Sequence, residues 1–252
     1  MTGQPTSRPR PMKTIGILGG MSDKATGEYY RLANAMINQR LGGWDNGEIV
    51  IVSVNFGNIE HFVRTDDWEA ARAYVDDKLD RLEAARVDVI VCVSNTMHRV
   101  VVPAMAGRRT PFVHIADATG AAIRARGLTK IGLLGTMPVM AGRALADHYR
   151  DRFGLDIVVP DEAGRTRIDR IIFDELVKDV VRPESREVYR QEIAKLKAAG
   201  AEGIILGCTE IYMLTGRGEL DGLPLFDTTE LHVKAAVDVA LGAVDSAAAA
   251  RI

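Results

Sequence analysis

Two apolar runs end on residues able to exchange protons. Residues 91–98 read VCVSNTMH and residues 206–210 read LGCTE, and aligning them at an offset of 114 puts Ser94 on Cys208 and Asn95 on Thr209. A thiol at a helix N-terminus has its pKa lowered from about 8.5, which leaves a thiolate usable as a base or nucleophile near neutrality. Cys208 is expected to have that placement. A serine hydroxyl has no comparable acidity without a partner base, so Ser94 can deliver a proton readily but can hardly remove one from carbon. Asn95, Thr96, Thr136 and Thr209, together with backbone N–H groups freed where strands pass into helices, make a neutral donor cluster suited to a carboxylate. The same donors would hold developing enolate charge.

The elements that must position these residues come from an alternation of short β-rich runs and longer helical stretches. TIGILGG, EIVIVSV, VDVIVCV, PFVHIA, KIGLLGT, LDIVV, GIILG and LPLFD read as buried strands, almost continuously apolar as in a parallel sheet covered on both faces. DWEAARAYVDDKLDRLEAARV and REVYRQEIAKLKAAG carry apolar residues at helical spacing with charges opposite. The order is βαβα, an α/β protein with doubly wound parallel sheets. An internal repeat divides it: TIGILGGM (14–21) matches KIGLLGTM (130–137), and LEAARVDVIVCVSNT (82–96) matches LKAAGAEGIILGCTE (196–210). Ligands of doubly wound sheets bind beyond the carboxyl ends of the strands. Each half therefore brings such ends, GGM (through Met21) plus SNT from one and GTM plus CTE from the other. Facing each other about a pseudo-twofold axis, the halves would bring Ser94 and Cys208 to one ligand from opposite sides. The expected division is a disordered Pro/Arg-rich tail over 1–12, a first α/β domain over 13–115 plus 228–252, and a second over 116–227, with the last helix returning to the first.

Composition narrows the function. The 252 residues carry a net charge of −2 with no basic block, which argues against a nucleic-acid surface or a polybasic membrane patch and for a small ligand. No apolar run approaches the roughly 18 residues of a spanning helix, and MTGQPTSRPRPM lacks the apolar centre of a signal peptide, so a cytoplasmic location with two free thiols is expected. GILGG is not G-x-G-x-x-G, and no acidic residue closes a second strand about twenty residues on, which disfavours dinucleotide binding. With two cysteines and no tight His/Asp cluster at ligand spacing, no metal is expected. Cys92 reads as a small buried hydrophobe. His98 is either a structural helix residue or a proton relay, His114 and His232 are structural, and Glu210 either orients the second helix or acts chemically.

GILGGMSDKATGEYY, SVNFGNIEHF, SNTMH, HIADAT, IGLLGT, RIIFDEL and LGCTEI resemble the cofactor-independent aspartate/glutamate racemase family over about residues 13 to 240. The resemblance implies two similar α/β domains that sandwich an acidic amino acid. It also implies two cysteines, one per half, that exchange the α-proton from opposite faces without pyridoxal phosphate or any other cofactor, and a homodimer. Ser94 falls on the first cysteine's position and Cys208 on the second, as in members with a hydroxyl residue at the first position. In GRTRIDRIIFDEL, Arg167 stands where close relatives carry lysine, and a guanidinium there could grip a side-chain carboxylate in a bidentate fork. Turnover weaker than that of a two-cysteine enzyme is expected. A single-cysteine decarboxylase similar to arylmalonate decarboxylases, or a catalytically impaired binder of acidic amino acids, fits the same one-thiol site.

Overall fold

The computed structural model describes residues 11–245. Most of the tail expected to be disordered, residues 1–10, lies outside the described residues. The first half of the chain runs β1 (Ile15–Gly19), α1 (Asp23–Leu41), β2 (Ile49–Ser53), α2 (Phe56–Thr65), α3 (Trp68–Ala84), β3 (Val89–Cys92), α4 (His98–Met105) and α5 (Ile115–Ala125). The second runs β4 (Lys130–Gly135), α6 (Met137–Ala141), α7 (Ala144–Phe153), β5 (Asp156–Val158), α8 (Glu162–Asp174), a 3-10 turn (Leu176–Lys178), α9 (Pro183–Ala198), β6 (Gly203–Gly207), α10 (Tyr212–Thr215), β7 (Gly218–Leu220) and β8 (Leu223–Asp227). A last helix, α11, spans Thr228–Ala240. No helix among the described residues is long and apolar enough to cross a membrane.

Two parallel sheets result, in the orders β2-β1-β3 and β5-β4-β6-β8, the second extended by antiparallel β7. β1, β3 and β6 are each sandwiched by two apolar layers, which is why they are buried along their whole length and read as unbroken apolar runs. In the first lobe one layer gathers Leu18, Ile90 and Cys92 with α3 and α4, and the other gathers Ile15, Ile17, Val89 and Val91 with α1 and α11. Two layers likewise enclose β4 and β6 in the second lobe. The repeat is visible in the register: β1 pairs with β3 through Ile17 and Val91, and β4 pairs with β6 through Leu133 and Ile205.

Two readings of strands need correction. PFVHIA forms no strand; only Phe112 bridges Ile90, because the chain turns at once into α5, where the His114 ring accepts the Ala116 N–H as a cap. β7 was not expected, being three residues of mostly exposed edge strand without an apolar run. Helices α1, α2 and α11 start on polar caps: Ser22 accepts from Ala25 N, Asn55 from Gly57 N, and Asp227 from Thr229 N. Gly20, between β1 and the first of these caps, has φ +87°, and a Cβ there would lie 2.2 Å from the Val54 carbonyl oxygen. Only glycine lets the strand end approach β2 so closely.

Candidate active site

The carboxyl ends of β1, β3, β4 and β6 meet at a cavity of about 40 Å³ between the lobes, with Ser94 and Cys208 both in its wall. Met21, Asn95, Thr96, Thr136, Thr209 and Glu210 line it as well. Ser94 sits in the turn between β3 and α4. Its Oγ accepts the Met97 N–H at 3.2 Å, and its carbonyl accepts a hydrogen bond from His98 Nδ1 at 2.6 Å. Thr96 and Thr136, one from each lobe, share a hydroxyl–hydroxyl bond of 2.9 Å. Asn95 Nδ2 donates to Thr228 Oγ1 at the start of α11, and that hydroxyl donates to the Leu206 carbonyl of β6, so the two strand ends are tied through α11. Asn95 Oδ1 is buried without a hydrogen-bond partner among the described residues.

The second strand end is built around a buried carboxylate. Glu210, 3 % exposed, accepts from Ser22 Oγ at 2.6 Å, from Thr209 Oγ1 at 2.5 Å and from Cys208 Sγ at 3.2 Å. Three donors from two lobes leave Glu210 in both the orienting and the chemical positions considered for it. The thiol is not the acidic one expected from helix placement. Burial, and then the Glu210 charge, push the Cys208 pKa well above its ordinary value. The reason is local geometry, since α10 has only four residues, begins at Tyr212, and so places no substantial helix terminus at Cys208. Cys92 is wholly buried beside Met21, with burial raising its thiol pKa, and both cysteines are unpaired.

A model of the Asp/Glu/hydantoin racemase family matches residues 18–236. The chain belongs to that family. A Yersinia pestis structure described as a proposed Asp/Glu racemase is 39 % identical, with a TM-score of 0.83 over 91 % of this chain and 100 % of that one. An aspartate racemase homologue from Pyrococcus horikoshii is 31 % identical, with a TM-score of 0.75 over 91 % and 99 %. A glutamate racemase of Shewanella loihica is 28 % identical over 57 % of this chain and 54 % of its own length, so the chain spans about half of that curated relative.

Within this racemase-family fold, His98 takes the structural one of its two expected roles, Arg167 departs from its expected role, and a cluster forms where none was expected. His98, 3 % exposed, uses both ring nitrogens on backbone: Nδ1 donates to Ser94 O, and Nε2 accepts from Ile115 N at 3.1 Å. Burial lowers its pKa to about 3, so the ring is neutral and holds the Ser94 turn without a free nitrogen for a relay. Arg167 does not reach the cavity. Its Nη2 bonds Glu192 Oε1 at 2.6 Å on the face of α8 turned to α9, and at 3.6 residues per turn it lies about 140° around the helix from Ile172, which does line the cavity. His114, Asp117 and His148 form a tight trio, their ligand-type atoms within 4.8 Å, where no His/Asp cluster was expected. The packing of α5 on α7 creates it from distant positions. Asp117 is already matched there by His148 at 2.7 Å and Arg152 at 3.2 Å.

The sequence reading missed a further set of walls: Phe56, Ile59, Glu60 and Val63 of α2, and Ile172, Phe173 and Val177 of the second lobe. The signal was present as i, i+3, i+7 spacing of Phe56, Ile59 and Val63. Periodicity identifies such a face without saying that it covers a ligand instead of a sheet.

Proposed function

We propose that the chain is an amino-acid racemase that works without pyridoxal phosphate, with Cys208 as the base and Ser94, or a water it holds, as the proton donor on the other face of the α-carbon. The observation that carries this reading is the presence of Ser94 and Cys208, at repeat-equivalent positions on different lobes, in the wall of one cavity. Before reaction Cys208 passes its proton to Glu210 Oε2, the acceptor 3.2 Å away, as the substrate's α-ammonium brings positive charge to the pair. The Cα–H bond then breaks, its proton goes to Sγ, and its electron pair enters the enolate of the substrate carboxylate. Ser94 O–H or its water delivers a proton to the opposite face, and the proton left on Glu210 returns through solvent to the Ser94 side, which restores both the donor and the carboxylate. The Thr96–Thr136 pair keeps one hydroxyl hydrogen to offer the carboxylate and its enolate, while Thr209 gives its own to Glu210. Asn95 Oδ1, buried and unpartnered, serves as acceptor for the ammonium.

Enantiomers of a free amino acid have equal free energy, so no catalyst favours one direction in kcat/KM. The Ser94 side lacks a thiol, so the direction that needs it as base saturates more slowly. The family resemblance points to aspartate or glutamate, but with Arg167 turned to Glu192 the reading rests on the carboxylate and ammonium common to all α-amino acids. A cytoplasmic setting, which keeps both thiols reduced, and a homodimer belong to the same proposal. The test is incubation of both enantiomers of several amino acids in deuterated buffer, following α-proton loss and optical rotation together. Exchange with inversion is expected. Exchange without inversion points to a one-base enzyme, and exchange that survives Cys208→Ala removes the assigned base.

A further inference from the structure

We infer that the enzyme selects an amino acid with an uncharged side chain and discriminates against aspartate and glutamate, using the α2 and α8 walls of the cavity as its side-chain pocket; the inference rests on the reading of this cavity as the substrate site. The cavity is chemically two-ended. Its strand-end wall carries the amide and hydroxyls that suit an amino acid's ammonium and carboxylate. Its other wall is Phe56, Ile59 and Val63 from α2, facing Ile172, Phe173 and Val177 from the second lobe. Apolar walls of this kind stabilise a side chain by the water-accessible area they remove and offer nothing to an ion.

The charges near the pocket reinforce the point. Among the described residues, no lysine or arginine lines the cavity; the lining acids are Glu60 and Glu210. Glu210 is occupied at the strand end by Ser22, Thr209 and Cys208. Arg64, which lies over the Phe173 ring at 4.3 Å, is divided between Glu60 and Asp169, each 3.3 Å away. Asp169 is anchored in turn by the Met137 N–H at 2.7 Å. A substrate's side-chain carboxylate would therefore enter beside the Glu60 carboxylate, shed water against aromatic and branched side chains, and meet a guanidinium already neutralised by two acids. Membership of a family described by both acidic amino acids and hydantoin does not decide this point, whereas the walls do.

The deciding experiment measures kcat/KM for α-proton exchange with both enantiomers of alanine, serine, leucine, methionine, aspartate and glutamate. Calorimetric binding of the same panel to a Cys208→Ser variant runs in parallel. The best neutral substrate is expected to exceed both acidic ones by at least about tenfold, the scale of an unmatched ion in an apolar pocket. A smaller ratio, or an acidic amino acid on top, overturns the inference. Binding that favours neutral amino acids in the absence of any exchange by the wild type leaves the pocket assignment standing and removes the proposed base, while binding that favours acidic ones, or none of the panel, removes the pocket. Val177→Lys is expected to raise the acidic-to-neutral ratio of kcat/KM about tenfold. Glu60→Gln, which keeps the fold's packing, raises the same ratio severalfold, and an unchanged ratio in both variants overturns the inference.

Discussion

The two strand ends that meet at the cavity belong to one internal repeat, yet they carry different side chains. Beyond β6, the thiol of Cys208 has a carboxylate 3.2 Å away that can take its proton. Beyond β3, the hydroxyl of Ser94 accepts a backbone N–H, and its carbonyl is clamped by a neutral histidine. At the repeat offset of 114, the position matching Glu210 is Thr96, whose hydroxyl is spent on Thr136 of the other lobe. The first half thus lacks both the thiol and the proton acceptor of the second, while keeping the backbone geometry. Duplication supplied symmetric placement, and side-chain differences put a thiol beside a carboxylate in one wall and a hydroxyl without one in the other, the contrast on which the proposed roles rest.

The largest effect that can break this comparison is Cys208→Ala. It should lower α-proton exchange by about 10³-fold or more, as expected for loss of a general base acting directly on carbon, read by NMR in deuterated buffer. Exchange within tenfold of wild type would mean that the two walls are not divided as described. Glu210→Gln comes next, with an expected loss of about 10²-fold. It also carries a pH signature. Because Glu210 takes the thiol proton within the site, wild-type kcat/KM should be flat on the alkaline side; in the variant the thiol, its pKa raised by burial, must lose its proton to solvent, so kcat/KM should climb with pH there. A variant profile as flat as the wild type's would make Glu210 a structural group only. Ser94→Cys gives the first wall a thiol but no carboxylate, so racemisation should rise by about tenfold and stay below that of a site with two matched pairs. No gain in racemisation assays of both enantiomers would detach Ser94 from the proton-donor role.

The smallest effect concerns stability and sharpens the account of the first wall. Burial lowers the pKa of His98 to about 3 and of His232 to about 4, and holds His114 well below its ordinary value. The unfolded chain, with histidines near 6.5, binds more protons than the folded one between pH 6.5 and those values. Stability is therefore fully present above pH 6.5 and is lost as pH falls, at up to about 1.4 kcal/mol per histidine per pH unit. Thermal unfolding at pH 7 and pH 4.5 should show this loss, and His98→Asn should reduce its slope by roughly one histidine's share. An unchanged slope would mean that the ring clamping Ser94 is not held neutral.

Much of the architecture was legible before any coordinates. Seven of the eight apolar runs became strands; five are buried nearly throughout because two layers enclose them, a pattern that is local, whereas β2 and β5 are partly exposed edge strands and not the buried ones expected. PFVHIA misled because its apolar run is spent on one bridge and a helix start, and β7 escaped because an edge strand of three residues needs no buried face. Around the cavity, Ser94, Cys208 and their neighbours stood out through the repeat alone. Arg167 did not behave as expected: residue type suggests what a guanidinium can grip, whereas its angle around α8 decides that it meets Glu192.

The linear order of residues thus determined the strands, the duplication, and the meeting of strand ends, since periodicity and repeat spacing record how each element presents itself to its own layer. Tertiary structure alone decided the rest. The acidity of Cys208 depends on its burial and on Glu210, which is itself held by Ser22, 188 positions away. The character of the pocket depends on which face of α2 meets which face of α8. Electrostatic and desolvation effects act through distances of a few ångströms between groups far apart in the chain, and no local pattern encodes those distances.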